Sequence, residues 1–192
     1  MLPVASPSPG PSTTPTPTGS LTPTPTPTAT PFYAVSLAYN SMAPTTDPTY
    51  GPVDGYGLLG AVPQPSASIT PAPSQVIHLT AGKTVTFYNF DSSPHTASFL
   101  GPVPSASPQA WPPTFTNANG ASAASPEGSS ISSTQFSTGN LGPGAVNNPN
   151  CVTTNPPNRC VQYNTGAPGV YYFGDYYNYL STPHMRTVII VQ

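Results

Sequence analysis

The sequence predicts an all-β fold, a Greek-key β-sandwich preceded by an extended proline- and threonine-rich N-terminal segment. Three observations lead there. The chain holds 30 prolines in 192 residues, and proline neither continues a helix nor donates a backbone hydrogen bond. No long stretch keeps helical spacing of apolar residues without Pro or Gly interrupting it,. Thr84-Val85-Thr86-Phe87-Tyr88-Asn89-Phe90 alternates in period two and is rich in β-branched and aromatic residues, the composition of a pleated strand,.

Residues 1–31 are of low complexity, with Thr-Pro runs at Thr14–Pro17 and Thr22–Pro27. Alternating proline favours an extended polyproline II rod. Dense Ser and Thr among the prolines suit O-linked glycans on residues 6–30, and no Asn-x-Ser/Thr sequon is present. This segment reads as a linker or stalk, with an arm docking on a neighbouring subunit as the alternative. Residues 32–67 hold a first strand, Phe32 to Tyr39, and then an irregular Gly/Pro/Tyr-rich insertion. Residues 68–192 form the sandwich proper. Val76, Ile77 and Leu79 lead into a turn at Ala81-Gly82-Lys83, followed by the Thr84–Phe90 strand and a short strand from His95 to Leu100. A long loop holds Trp111. Strands are predicted around Ser130–Phe136, at Val170–Phe173 and at Arg186–Val191. The last contains Val188-Ile189-Ile190-Val191, a continuous apolar run expected of a strand buried on both faces.

Only 4% of residues are charged, against about 25% in ordinary soluble domains. The surface must therefore be solvated by hydroxyls, amides and sugars. Nucleic acid is excluded as a partner, because phosphate binding needs clustered Lys and Arg and this chain has three in all. No run of apolar residues is long enough to span a bilayer. The N-terminus lacks the basic start and apolar stretch of a signal peptide, so the expectation is the mature form of an exported protein, extracellular or at the cell surface. Cys151 and Cys160 close a turn-rich loop and read as a hairpin disulfide in an oxidising compartment. Two free thiols or half of a metal site stay open as alternatives.

The order of motifs resembles the cupredoxins, the plastocyanin-like blue-copper domains. Val76 to Asp91 resembles that family's strand–turn–strand opening. Ser93-Pro94-His95 is similar to its Pro-His, where the histidine is the first copper ligand. Phe136-Ser137-Thr138-Gly139 through Pro143-Gly144 resembles the next strand and turn. Ala167-Pro168-Gly169-Val170-Tyr171-Tyr172-Phe173 resembles the strand that delivers the ligand loop. The resemblance implies a copper site, and the chain departs from it at the ligands. Asp175 stands where the family has its cysteine, and Tyr176, Tyr177 and Asn178 stand where a second histidine follows. His184 falls at the axial methionine position, with Met185 beside it.

A blue-copper centre depends on a thiolate, two imidazoles and a weak axial ligand, so an electron carrier is not expected. His95, Asp175 and His184, with Met185 as a substitute, remain a candidate set for copper or another divalent ion. Otherwise His95 survives as a packing and hydrogen-bonding group. The segment from Tyr171 to Leu180 is six-tenths aromatic. Tyr176, Tyr177 and Tyr179 either fill the vacated site or face a partner, since tyrosine suits both interfaces and sugar stacking. No nucleophile elbow, phosphate loop or close carboxylate pair is visible, so the chain is not expected to be an enzyme. The leading expectation is a structural or assembly subunit of a surface layer or fibre, self-associating or bound to a cell-surface partner. Phe32, Val35, Leu37 and Tyr39 are candidates for a strand bridging subunits. A copper-binding module, or a glycan-binding module built on the tyrosine loop, are the alternatives.

Overall fold

A computed structural model describes residues 10, 33–39, 42–60, 71–101, 111–112, 115, 125–142 and 160–192. The predicted stalk, Phe32 and Cys151 lie outside the described residues. Twelve strands and no helix are present among those described: β1 (Tyr33–Leu37), β2 (Thr45–Asp47), β3 (Gly51–Val53), β4 (Tyr56–Gly60), β5 (Ile77–Leu79), β6 (Thr84–Asn89), β7 (Ser98–Phe99), β8 (Pro126–Glu127), β9 (Ser137–Thr138), β10 (Cys160–Asn164), β11 (Gly169–Gly174) and β12 (Arg186–Val191).

They form a four-stranded sheet in the order β10-β6-β1-β4, a six-stranded sheet in the order β5-β12-β11-β7-β9-β8, and the small ribbon β2-β3. The chain crosses between the two large sheets at β4–β5, β5–β6, β6–β7, β9–β10 and β10–β11. The parallel pairs β1–β6 and β5–β12 result from these crossings, as the Greek-key prediction requires. Val35, Leu37, Val85, Phe87 and Val161 of the first sheet meet Ile77, Leu79, Phe173, Ile189 and Val191 of the second in one core. Period two explains β5, where Ile77 and Leu79 are buried and His78 between them is exposed,. β6 instead buries both faces. Val85 and Phe87 enter the main core, while Tyr88 joins a second cluster with Ala34 and Cys160.

Two expectations are corrected. Of the predicted bridging strand, the described part from Tyr33 to Tyr39 does not supply a free strand for a neighbouring subunit. β1 lies between β6 and β4 with both backbone edges hydrogen-bonded, and Val35 and Leu37 are wholly buried. Tyr39 follows the strand and packs against the same core. The region from Ser130 to Phe136 is a series of turns, not a strand. Ser130 makes one bridge to Asn164, and Ile131 and Phe136 drop their side chains into the core from the turn.

Phe136 sits against Phe87, Phe173 and Tyr163, with ring centroids 6.1, 5.6 and 4.7 Å away. Both sheets therefore converge on one ring. Phe136→Ala is expected to lower unfolding free energy by about 3–5 kcal/mol, whereas His78→Ala changes it by no more than about 0.5 kcal/mol. Chemical denaturation of the two variants checks this.

Candidate functional site

The chain runs up β1 from Tyr33 beside Val85 to Leu37 beside Asn89. Asp91, His95 and Asp175 gather at the end reached by Leu37, whose carbonyl accepts from the Phe90 N–H. β6 exits there into the Asp91–Pro94 turn, which is held by Asn89. The Asn89 side chain donates to the Ser93 carbonyl at 2.7 Å and to the Leu141 carbonyl, while its Oδ1 accepts from the Asp91 backbone N–H at 2.7 Å. His95 then pairs with Leu141 through two backbone hydrogen bonds, 2.9 and 2.8 Å. Its ring is thereby pointed inward and is fully buried.

Both ring nitrogens of His95 face carboxylates. Nε2 lies 2.8 Å from Asp91 Oδ2, and Nδ1 lies 3.0 Å from Asp175 Oδ2. Asp175 is also fully buried, and every oxygen is satisfied. Oδ1 accepts from the Thr96 backbone N–H at 2.7 Å. Oδ2 accepts from the Asn178 backbone N–H at 3.1 Å and from Asn178 Nδ2 at 2.7 Å as well as from the imidazole. Asp91 Oδ2 also accepts from the backbone N–H of Tyr39. A carboxylate only accepts, so a ring set between two carboxylates is favoured as the imidazolium, donating from both nitrogens; Asn178 Nδ2 also lies 3.3 Å from Nδ1. Burial on its own would push the His95 pKa down. Hydrogen bonds and charge from Asp175, and then from Asp91, outweigh it and hold the pKa above its ordinary value,. Beneath the pair, the buried Tyr56 hydroxyl donates to the Thr96 carbonyl at 2.6 Å. Desolvation and the nearby Asp175 charge push that phenol well above its usual value.

The β11–β12 connection wraps this clasp. Asp175 N–H donates to the Met185 carbonyl, Tyr179 N–H to the Asp175 carbonyl, and Tyr176 N–H to Thr96 Oγ1. A polar pocket of about 380 Å³ opens beside it, lined by Tyr39, Asp91, Ser92, Ser93, His95 and Asn178.

Of the predicted ligands, the structure brings His95 and Asp175 together and leaves out the others. His184 is exposed, with Nδ1 3.0 Å from the Tyr179 carbonyl. Met185 is buried in the main core and lies against Gly55, where an added Cβ would fall 2.4 Å from Met185 Cγ. Among the described residues no group of three or more His, Cys, Asp or Glu side chains is arranged to hold a metal ion. The donor set fits an ion poorly as well, because a metal would have to displace the proton on Nδ1 and three donors on Asp175. The expected His95–Asp175–His184 set is therefore corrected to Asp91–His95–Asp175. Sequence reasoning passed over Asp91 and Asn178. The available signal was spacing: Asp91 precedes His95 by four residues across a Pro-containing turn, in a chain with five acidic residues in all.

The tyrosines divide. Tyr179 is buried beneath the loop, 5.8 Å from the Phe115 ring, and donates to the Pro112 carbonyl at 2.7 Å. Tyr176 and Tyr177 stay on the surface. Cys160 is buried and disulfide-bonded, while its expected partner Cys151 lies outside the described residues. A second buried carboxyl, Asp54, stands apart from the clasp. Its Oδ1 accepts from Ser74 and Gly55, its Oδ2 has no partner, and burial raises its pKa despite those two bonds.

The class defined here is an all-β sandwich sealed at one end by a carboxylate–imidazolium–carboxylate clasp. No protein-family model matches the chain, and no curated protein matches it in sequence. Among solved structures it is similar to rusticyanin from Thiobacillus ferrooxidans, at 14% identity over 84% of this chain and 76% of that one, with a TM-score of 0.39. It is also similar to a Cu(I) form of an amicyanin variant, at 14% identity over 61% of this chain and 69% of that one, with a TM-score of 0.30. Scores and identities this low assign no activity. No helix among the described residues is long and apolar enough to cross a membrane.

A folded-state pKa above the unfolded one stabilises the fold below the unfolded value, about 6.5, and that contribution is lost as pH rises through the folded value. Thermal stability of the intact chain should accordingly decline as pH rises past the unfolded value and through the raised folded one. Asp175→Asn places an amide donor against donors inside a buried ion pair and should cost about 3–5 kcal/mol at neutral pH. It should also flatten that decline. Melting curves across pH for the two proteins check both.

Proposed function

We propose that this chain is a non-enzymatic, exported building block of a cell-surface layer or fibre. In this reading it is a cupredoxin-like sandwich in which an aspartate–imidazolium clasp has taken over the place of type 1 copper. One observation carries the proposal: His95, the residue matching the family's first ligand, is fully buried with both nitrogens engaged by carboxylates at 2.8 and 3.0 Å. Asp175 meets that ring directly from the position where the family carries its thiolate. A ring without a lone pair to offer does not coordinate copper.

The assembly role draws on the rest of the chain. With 4% charged residues, copies repel one another weakly. The Pro/Thr segment supplies an extended, glycan-compatible stalk, and the disulfide at Cys160 suits an oxidising exterior,.

Titration of the intact chain with Cu(I), Cu(II) and Zn(II), followed by calorimetry and absorption, separates this reading from the metal-binding one. No stoichiometric binding is expected. One tight equivalent of copper, weakened by His184→Ala, would restore a metal module. A strictly monomeric chain at the highest attainable concentration would remove the assembly role.

A further inference from the structure

Resting on that assembly reading, we infer that the Pro/Thr segment of one copy, residues 11–31, docks on the tyrosine loop of the next copy, head to tail. The loop between β11 and β12 carries the largest exposed apolar side chains at its end of the sandwich: Tyr176 at 38%, Tyr177 at 42% and Leu180 at 60% exposure. The rings are held in fixed positions. Tyr176 stands edge-to-face against Phe115, with centroids 5.5 Å apart at 80°, and against Tyr177 at 5.2 Å and 78°. Tyr177 is tethered through its hydroxyl to Asn140 Oδ1 at 2.7 Å. Rings set edge-to-face present alternating ridges and clefts. Such aromatic surfaces take up polyproline II segments, whose ordering entropy is already low.

The occupant follows from its chemistry and from where it leaves the fold. Residues 11–32 contain no charged side chain, and neither does the loop from Tyr176 to His184 when the histidine is neutral. Docking one on the other therefore desolvates no ion. Thr-Pro repeats lack the N–H groups needed to extend a sheet edge, but they keep apolar rings for stacking and carbonyls for tyrosine hydroxyls.

The position of the exit is the second argument. Chain preceding Tyr33 enters the sandwich where Tyr33 bonds Thr80 at 2.7 Å and Ala81 bonds Gln192 at 2.9 Å. The tyrosine loop lies at the opposite end, bound to Thr96 and Asn140 beside His95. Donor and acceptor thus sit at opposite poles. At about 3.1 Å per residue, 21 residues reach about 65 Å. Copies aligned end to end satisfy the pairing directly, and a heterologous contact of this kind repeats from copy to copy, as an open filament or, where the rotation closes, a ring.

Sedimentation velocity on three full-length proteins tests this: the intact chain, Tyr176→Ser/Tyr177→Ser, and a variant with Pro15, Pro17, Pro23, Pro25 and Pro27 all changed to Ser. The intact chain should form species that grow with concentration. Each variant alone should sediment as the 19.7 kDa monomer with an unchanged melting temperature. Mixed in equal amounts, one has an acceptor and the other an arm, so they should form a complex of twice that mass and nothing larger. If either variant assembles as the intact chain does, the docking is wrong while the assembly reading stands. A monomeric intact chain overturns both.

Discussion

His95 is fully buried with a carboxylate against each ring nitrogen, and the end of the sandwich is organised around that arrangement. A buried ion pair is costly unless its remaining lone pairs and protons are satisfied. Each polar atom at Asp175 is satisfied, by the Thr96 amide, two groups of Asn178 and the histidine. The constraint spreads outward from there. Asn178 has to sit three residues after Asp175, which turns the chain back on itself. Asp91 has to face the outer nitrogen, which draws Tyr39 across the top of β6. Leu141 has to pair with the His95 backbone.

A metal ion in such a place ties several loops to one point. Here one imidazole ring, bonded through each nitrogen to a different carboxylate, links three chain segments: the turn after β6, the strand-like His95–Leu141 bridge and the β11–β12 loop. Tyr179 plugs the space under the loop, its ring against Gly174 and its hydroxyl on the Pro112 carbonyl. The loop is thus supported from below by packing, which leaves Tyr176 and Tyr177 free to face outward.

The sandwich was legible from residue pattern alone at β5, β6, β11 and β12. Period two reports burial at β5 and the continuous apolar run does so at β12, whereas β6 buries both faces and β11 leaves Val170 exposed. The region 40–66 was not legible, because β2 and β3 are three residues each and too short to show a period. They pair with one another, and the register of β4 is set by β1. Ser130–Phe136 misled for the opposite reason. Its spaced apolar residues imitate a strand, yet a turn delivers Ile131 and Phe136 to the core equally well. At the site, the sequence pointed to His95 and Asp175. It did not show that Asp91 closes the second nitrogen, because a carboxylate in a polar turn looks like any solvated side chain until the turn's direction is known. His184 and Met185 were misplaced by counting back from β12, since the backbone pairing of Asp54 with Arg186 fixes that strand's start in a way spacing does not reveal.

The protonation of one ring carries the account. Nitrogen-15 NMR of the histidine-labelled intact chain, recorded from acidic pH to above neutrality, reads it directly. For His95 the account predicts two protonated ring nitrogens with imidazolium shifts at pH 7 that are unmoved by added copper. A neutral His95 ring with an unprotonated Nδ1 at pH 7, or a Nδ1 signal lost to an added metal ion, would contradict it.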